Sequence, residues 1–152
     1  MYDVDYEAMR AGLQQAIPFN THVGLEFVEV ADGRGVVKLP DLAHTKNHVD
    51  SQHAGALFSA AEAASGGAFV GAFVEHLGGL TPLAKSAEIN YLKLAKGAIT
   101  ATATLSEDKQ SLLDQLERDG RVEFPVTVEL TDGEDRAVAQ VTVHWHVRKN
   151  AT

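Results

Sequence analysis

One carboxylate stands alone in the run AGALFSAAEAASGGAFVGAFV: Glu62 is the only ionisable side chain between His53 and Glu75. A helix that is apolar nearly all round is a buried helix, and a buried carboxylate is costly unless it is paired, protonated or used. A carboxylate can take a proton or attack an electrophile, so Glu62 is a candidate reactive group. The competing reading makes Glu62 the wet face of a surface helix, because Ser59, Ser65 and Gly66 lie three or four residues away on the same side. A wet face ordinarily carries several charges, and this one carries a single carboxylate. Gly66, Gly67 and Gly71 each cost about 1 kcal/mol of helix propensity relative to Ala. Their retention suggests that another backbone or a ligand comes close to the helix.

Other chemistry-bearing residues point elsewhere. Ser59 and Ser65 lack a His–Asp arrangement that would make either a hydrolase nucleophile. His44 and His48 have the spacing of metal ligands on a helix, but they fall in an aperiodic polar stretch without a carboxylate motif, so no metal site is expected. His144 and His146 flank Trp145 on a strand and should share one face in a structural or surface role.

The elements that must position Glu62 follow from periodicity. Asp5 to Ile17 reads as a short helix stopped by Pro18. GLEFVEV and RGVVKLP flank Ala31-Asp32-Gly33, a loop that closes a hairpin. Asp41 to His53 reads as a loop leading into the buried helix, about Ala54 to Glu75. Beyond Pro82 the chain turns β-like: LAKSAEINYLKLA, then AITATATLS with Ile99, Ala101, Ala103 and Leu105 on one face, then RVEFPVTVELT and AVAQVTVHWHV. Asp108 to Gly120 looks like a charged connector with a helical turn, and Pro125 calls for a bulge or an edge position. A single helix this apolar must be wrapped by the sheet, giving an α+β class with a strongly curved antiparallel sheet.

The chain has 152 residues and no cysteine, which is enough for one domain (1–152) and leaves neither disulfides nor a thiolate nucleophile. A formal net charge of −8 with scattered basic residues argues against nucleic-acid binding, although Lys85, Lys93 and Lys96 could still receive a small phosphorylated ligand. No leader-like or membrane-spanning run is apparent, and the chain reads as soluble and cytoplasmic.

The segment N-x5-H-A-G-x6-E (Asn47, His53, Ala54, Gly55, Glu62), in this order of elements, resembles the hotdog-fold acyl-CoA thioesterases of the phenylacetic-acid-pathway type. The likeness runs from about Asn20 to Val147, and AEINYLKLAKGAITATATL resembles the strand pair that follows the helix in that family. The resemblance implies a curved antiparallel sheet around a long central helix, a helix carboxylate as general base or nucleophile, a helix-start amide that polarises the thioester carbonyl, and a loop Asn that places water or substrate. By spacing, these roles fall on Glu62, the Ala54 amide and Asn47, with His53 orienting the loop and Gly55 beside the amide. The sequence departs from the commoner His-Gly-Gly by reading His53-Ala54-Gly55; Ala still has an N–H, but its methyl crowds the approach. Ser65, Gly66, Phe58 and Lys93 are the expected substrate contacts, with Phe58, Phe69 and Phe73 candidates for an acyl pocket.

Physics supports the amide and carboxylate roles independently, since free N–H groups and the dipole at a helix N-terminus favour a developing oxyanion. Eight residues of helix span about 12 Å, too far for one helix to bring both groups to one carbonyl. Two helices antiparallel across a two-fold axis would do so, which predicts a composite site in a homodimer or a dimer of dimers. The expected partners are therefore an acyl-CoA or acyl-carrier thioester and a second copy of the chain, with no cofactor, nucleic acid or membrane. The rival readings are a noncatalytic acyl- or aryl-ligand binding protein on the same scaffold and a hotdog hydratase or dehydratase.

Overall fold

The computed structural model describes residues 3–151, so the outermost residues of the expected 1–152 domain lie outside it. Helix α1 (Tyr6–Ala16) starts at Asp5, whose carboxylate accepts the Ala8 N–H at 2.9 Å. Pro18 ends it as expected and also opens a second helix, α2 (Pro18–Val23), at a position where its missing N–H costs nothing. Gly24, at φ 98°, terminates α2.

Strands β1 (Glu26–Ala31) and β2 (Arg34–Leu39) form the expected hairpin, with Ala31 paired to Arg34 across Asp32-Gly33. The long helix α3 spans Ala54–Ala72, three residues shorter than its apolar run suggests. Strands β3 (Leu80–Tyr91), β4 (Ile99–Thr104), β5 (Arg121–Thr131) and β6 (Ala137–Lys149) complete a six-stranded sheet. Its order is β1-β2-β4-β5-β6-β3 and every pairing is antiparallel.

One face of this sheet holds α3, with Ile99, Ala101 and Ala103 of β4 and alternate residues of β5 and β6 buried against it. The helix lies close because glycines allow it: a Cβ at Gly35 would overlap the Ala64 carbonyl oxygen, and one at Gly71 would overlap that of Ala31. The inner core is an aromatic stack. Phe69 and Phe73 lie 5.0 Å apart, Phe124 is 5.6 Å from Phe73, and Trp145 is 6.0 Å from Phe69, as ring centroids. Offset stacks of this kind add to the area each ring buries.

Asp108 to Gly120 corrects the connector expectation. It is a helix of three turns, α4 (Lys109–Asp119), capped by Asp108 and ended by Gly120 at φ 74°. Leu112 and Leu116, one turn apart, bury its inner face against β5, so the charges belong to its solvent side. Pro125 sits where β5 has run past β4 and has only β6 beside it, an edge position without a bulge. His144 and His146 share the outer face of the sheet, with His146 Nδ1 3.9 Å from Glu123. Among the described residues no helix is long and apolar enough to cross a membrane.

Candidate active site

Glu62 lies halfway along α3, half-buried, and no side chain or main-chain donor among the described residues bonds its carboxylate. It opens into a cavity of about 190 Å³ whose other walls are apolar: Leu13, Ile17, Phe27, Gly66, Phe69 and Trp145 among them. Burial in that lining pushes the Glu62 carboxyl above the ordinary carboxylate range, because the charged form loses water and gains no partner. An uncompensated carboxylate with a raised pKa in an apolar cavity is the state a general base needs.

At the N-terminal end of the helix the cap decides which amide is free. His53 is the N-cap (φ −66°, ψ 144°), and its Nδ1 accepts the Gly55 N–H at 2.8 Å. The ring nitrogen that accepts is unprotonated, so any ring N–H of a neutral His53 is on Nε2. His53 therefore occupies the Gly55 donor and leaves the Ala54 N–H with no acceptor among the described residues. His53, Ala54 and Gly55 are all exposed. Tyr91, at the end of β3, donates its hydroxyl to the Ala54 carbonyl at 3.1 Å and so ties the helix start to the sheet.

Asn47 builds the loop before the helix. Its Oδ1 accepts the N–H groups of Val49 and Ser51, both at 3.0 Å, around Asp50 at φ 58°. That leaves its amide NH₂ as the part that could donate to another molecule. The buried Gln52 amide fixes the same loop by donating to the carbonyls of Pro40 and Gly97, while its oxygen accepts from Thr45. Periodicity gives no hint of a buried glutamine in a loop, which is why sequence reasoning passed over it.

The remaining expected residues separate. Gly66 lines the Glu62 cavity. Ser65, expected at the substrate, is 0% exposed and fully engaged within the chain: its hydroxyl donates to the Glu62 carbonyl at 2.7 Å and accepts Trp145 Nε1–H at 3.1 Å. Phe58 is half-buried against the core outside that cavity, and Phe73 is buried in the aromatic stack. Lys93 is exposed just past β3, Lys85 pairs with Glu123, and Lys96 donates to the carbonyls of Val49 and Asp50. His44 donates its Nε2–H to the Val23 carbonyl, 2.8 Å away, beside a second depression lined by Phe19, His22, His53 and Ser59. Trp145, Leu13 and Ile17 were not anticipated at the site; they reach Glu62 only because β6 and α1 converge on the middle of α3.

A six-stranded antiparallel sheet wrapped around one long helix is the hotdog fold, and known structures share it. A Pseudomonas aeruginosa protein of unknown function, described as a probable thioesterase, is 27% identical with a TM-score of 0.85, each chain 95% covered. A conserved protein of the same organism is 25% identical with a TM-score of 0.72, covering 88% of this chain and 96% of its own. The Escherichia coli PaaI protein from the phenylacetic acid degradation operon is 22% identical with a TM-score of 0.74 (95% and 94% covered), a likeness of fold. No curated protein matches the sequence. Residues 6–147 match the family described as Domain of unknown function (DUF4442), and the chain belongs to that family.

Proposed function

We propose that the protein is a thioesterase that hydrolyses an acyl-CoA or related carrier thioester, with Glu62 as general base or nucleophile. The observation that carries this reading is the unpartnered Glu62 carboxylate in its apolar cavity, on the central helix of a fold whose 27%-identical relative is described as a probable thioesterase. Hydrolysis adds water oxygen to the acyl carbon, breaks the C–S bond and releases the thiol. Glu62 takes the proton from the attacking water, or attacks first and is freed by water; either route places negative charge on the thioester oxygen. The exposed Ala54 N–H at the N-terminus of α3 is the donor for that charge, and the Asn47 amide orients water or substrate.

Glu62 and Ala54 are eight residues apart on one helix, about 12 Å, so the acid and the amide of one site come from two chains. The long edge strand β3 supports a second copy. Among the described residues its outer edge has no strand beside it, and Leu83, Tyr91, Leu92 and Leu94 in and just after it are about half exposed or more. A strand edge of this length with apolar side chains is ordinarily covered.

Thiol release from short, medium, long and aromatic acyl-CoA esters tests the reading. The expected result is turnover of at least one ester, lost by about 10² to 10⁴-fold in a folded Glu62→Gln variant. Binding without turnover across the panel would instead identify a noncatalytic ligand-binding protein.

A further inference from the structure

A sheet edge needs a cover, and β1 is one of the two edges of this sheet. Much of the cover is one side chain. Gln14 of α1 donates Nε2–H to the Leu25 carbonyl at 3.0 Å and accepts the Phe27 N–H on Oε1 at 2.6 Å, so its carboxamide takes both outward groups as a neighbouring strand would. Arg10, one turn earlier, donates to the Phe27 carbonyl at 3.1 Å while its Nε and Nη2 hold Glu7. Apart from these bonds α1 is lightly held. None of its residues is buried, Tyr6 and Leu13 pack partly against the core, and Ile17, extended at φ −117° and ψ 102° before Pro18, separates it from α2.

Leu13 and Ile17, one turn apart, form one wall of the Glu62 cavity. Phe27 of β1, Pro82 of β3 and Trp145 of β6 form others, and Glu62 is the one titratable residue in the lining. Charges on the same elements are engaged elsewhere: Glu7 pairs with Arg10, Glu29 with Arg34 and Lys85 with Glu123, and His144 and His146 lie on the outer face of the sheet. The cavity is partly open to solvent, so the position of the α1 wall decides how much water reaches the carboxylate.

We propose that Gln14 is a positioning residue for Glu62: by completing the free edge of β1 it latches α1, and the latched helix holds Leu13 and Ile17 beside the carboxylate and keeps water from it. The inference rests on the reading of Glu62 as the reactive group and adds what controls its reactivity. Proton and helix are then linked. An ionised Glu62 gains hydration when α1 swings out, whereas a neutral one gains little, so ionisation favours the released helix and protonation the latched one. Reciprocally, a helix that no longer latches returns Glu62 toward the proton affinity of an ordinary carboxylate, which makes it a weaker base.

Two readouts test this without a substrate. Glu62 is titrated through the carbon-13 resonance of its carboxyl, identified by its loss in Glu62→Gln. The helix is followed by acrylamide quenching of Trp145, the only tryptophan in the sequence, which lines the same cavity and is 7% exposed. In the wild-type protein quenching should strengthen as pH rises through the Glu62 titration, and that step should vanish in Glu62→Gln. Gln14→Ala should lower the Glu62 midpoint toward the ordinary value of about 4.3 and strengthen quenching at every pH. Leu13→Ala thins the wall and leaves the latch, so it should lower the midpoint as well.

A Gln14→Ala chain that loses thermal stability yet keeps the wild-type midpoint and the wild-type quenching would reduce Gln14 to an edge cover and overturn the inference. Should that variant fail to fold, the wild-type protein decides: quenching that stays flat across the Glu62 titration would overturn the inference equally. Turnover of an ester alongside either result would leave the thioesterase reading standing. The predicted shifts without turnover of any ester would do the reverse, removing the thioesterase reading and leaving the latch.

Discussion

Trp145 Nε1 donates to Ser65 Oγ at 3.1 Å, and the same hydroxyl donates to the Glu62 carbonyl at 2.7 Å, so β6 grips α3 at the turn that carries the carboxylate. Removing Ser65 would leave a buried indole N–H without an acceptor. Ser65→Ala should therefore cost about 1–3 kcal/mol in denaturant unfolding. Trp145→Phe combined with Ser65→Ala should cost less than the sum of the single changes, because the second change removes the orphaned donor. Strict additivity in that cycle would show that the bond contributes nothing.

The helix glycines make a prediction of opposite signs. Gly71→Ala drives a methyl into the Ala31 carbonyl and should destabilise by about 1–3 kcal/mol. Gly66→Ala meets nothing closer than 3.9 Å and should stabilise by up to about 1 kcal/mol. Thermal unfolding of the two variants decides the matter, and a loss of stability at both positions would contradict the packing described.

Glu62 couples stability to pH through burial. Its carboxyl is held above the ordinary range in the folded chain, against about 4.3 when unfolded, so the folded state binds that proton more tightly. The resulting stabilisation is fully present below the unfolded value and is lost as pH rises through the folded one. At neutral pH the ionised group thus works against the fold. Glu62→Gln should raise Tm at pH 7, with a gain that shrinks as pH falls toward about 4. The wild-type rate should rise with pH through a limb above the usual carboxylate range. A Gln variant less stable than wild type at pH 7 would mean that the carboxylate has a partner in the working assembly.

Ala54 is the first residue of α3, where proline is tolerated, and His53 before it is already extended as a residue preceding proline must be. Ala54→Pro should therefore fold and lose activity, while Ala54→Gly, which keeps the N–H, should retain most of it. A folded Pro variant with wild-type turnover would remove that amide from the mechanism.

Much of this is legible in the sequence alone. The solitary Glu62 marked the helix, the periods of two marked the strands, and Asp32-Gly33 marked the hairpin, because each is a local pattern set by burial or by backbone conformation. The misses share a cause. Helix α4 was hidden because its charges outnumber the few leucines on its buried face, and α2 because Pro18 signals a stop more loudly than a start. The roles of Ser65, Gln52 and Trp145 depend on partners distant in the chain, 80 residues away for Ser65 and Trp145, so no local signal carried them. The reverse holds for the glycines: composition said only that something comes close, and geometry separated the two that meet backbone from Gly66, which meets open space.

The central claim, that one site draws its acid from one chain and its amide from another, is tested most directly by mixing subunits. Glu62→Gln and Ala54→Pro chains, each inactive alone, are allowed to exchange in equal amounts. Random reassortment into dimers makes half of them mixed, each with one intact site and one doubly defective site, so activity should return to about a quarter of the wild-type rate per chain. Confirmed mixed dimers that stay inactive, or a fully active monomer in sedimentation, would contradict the shared site.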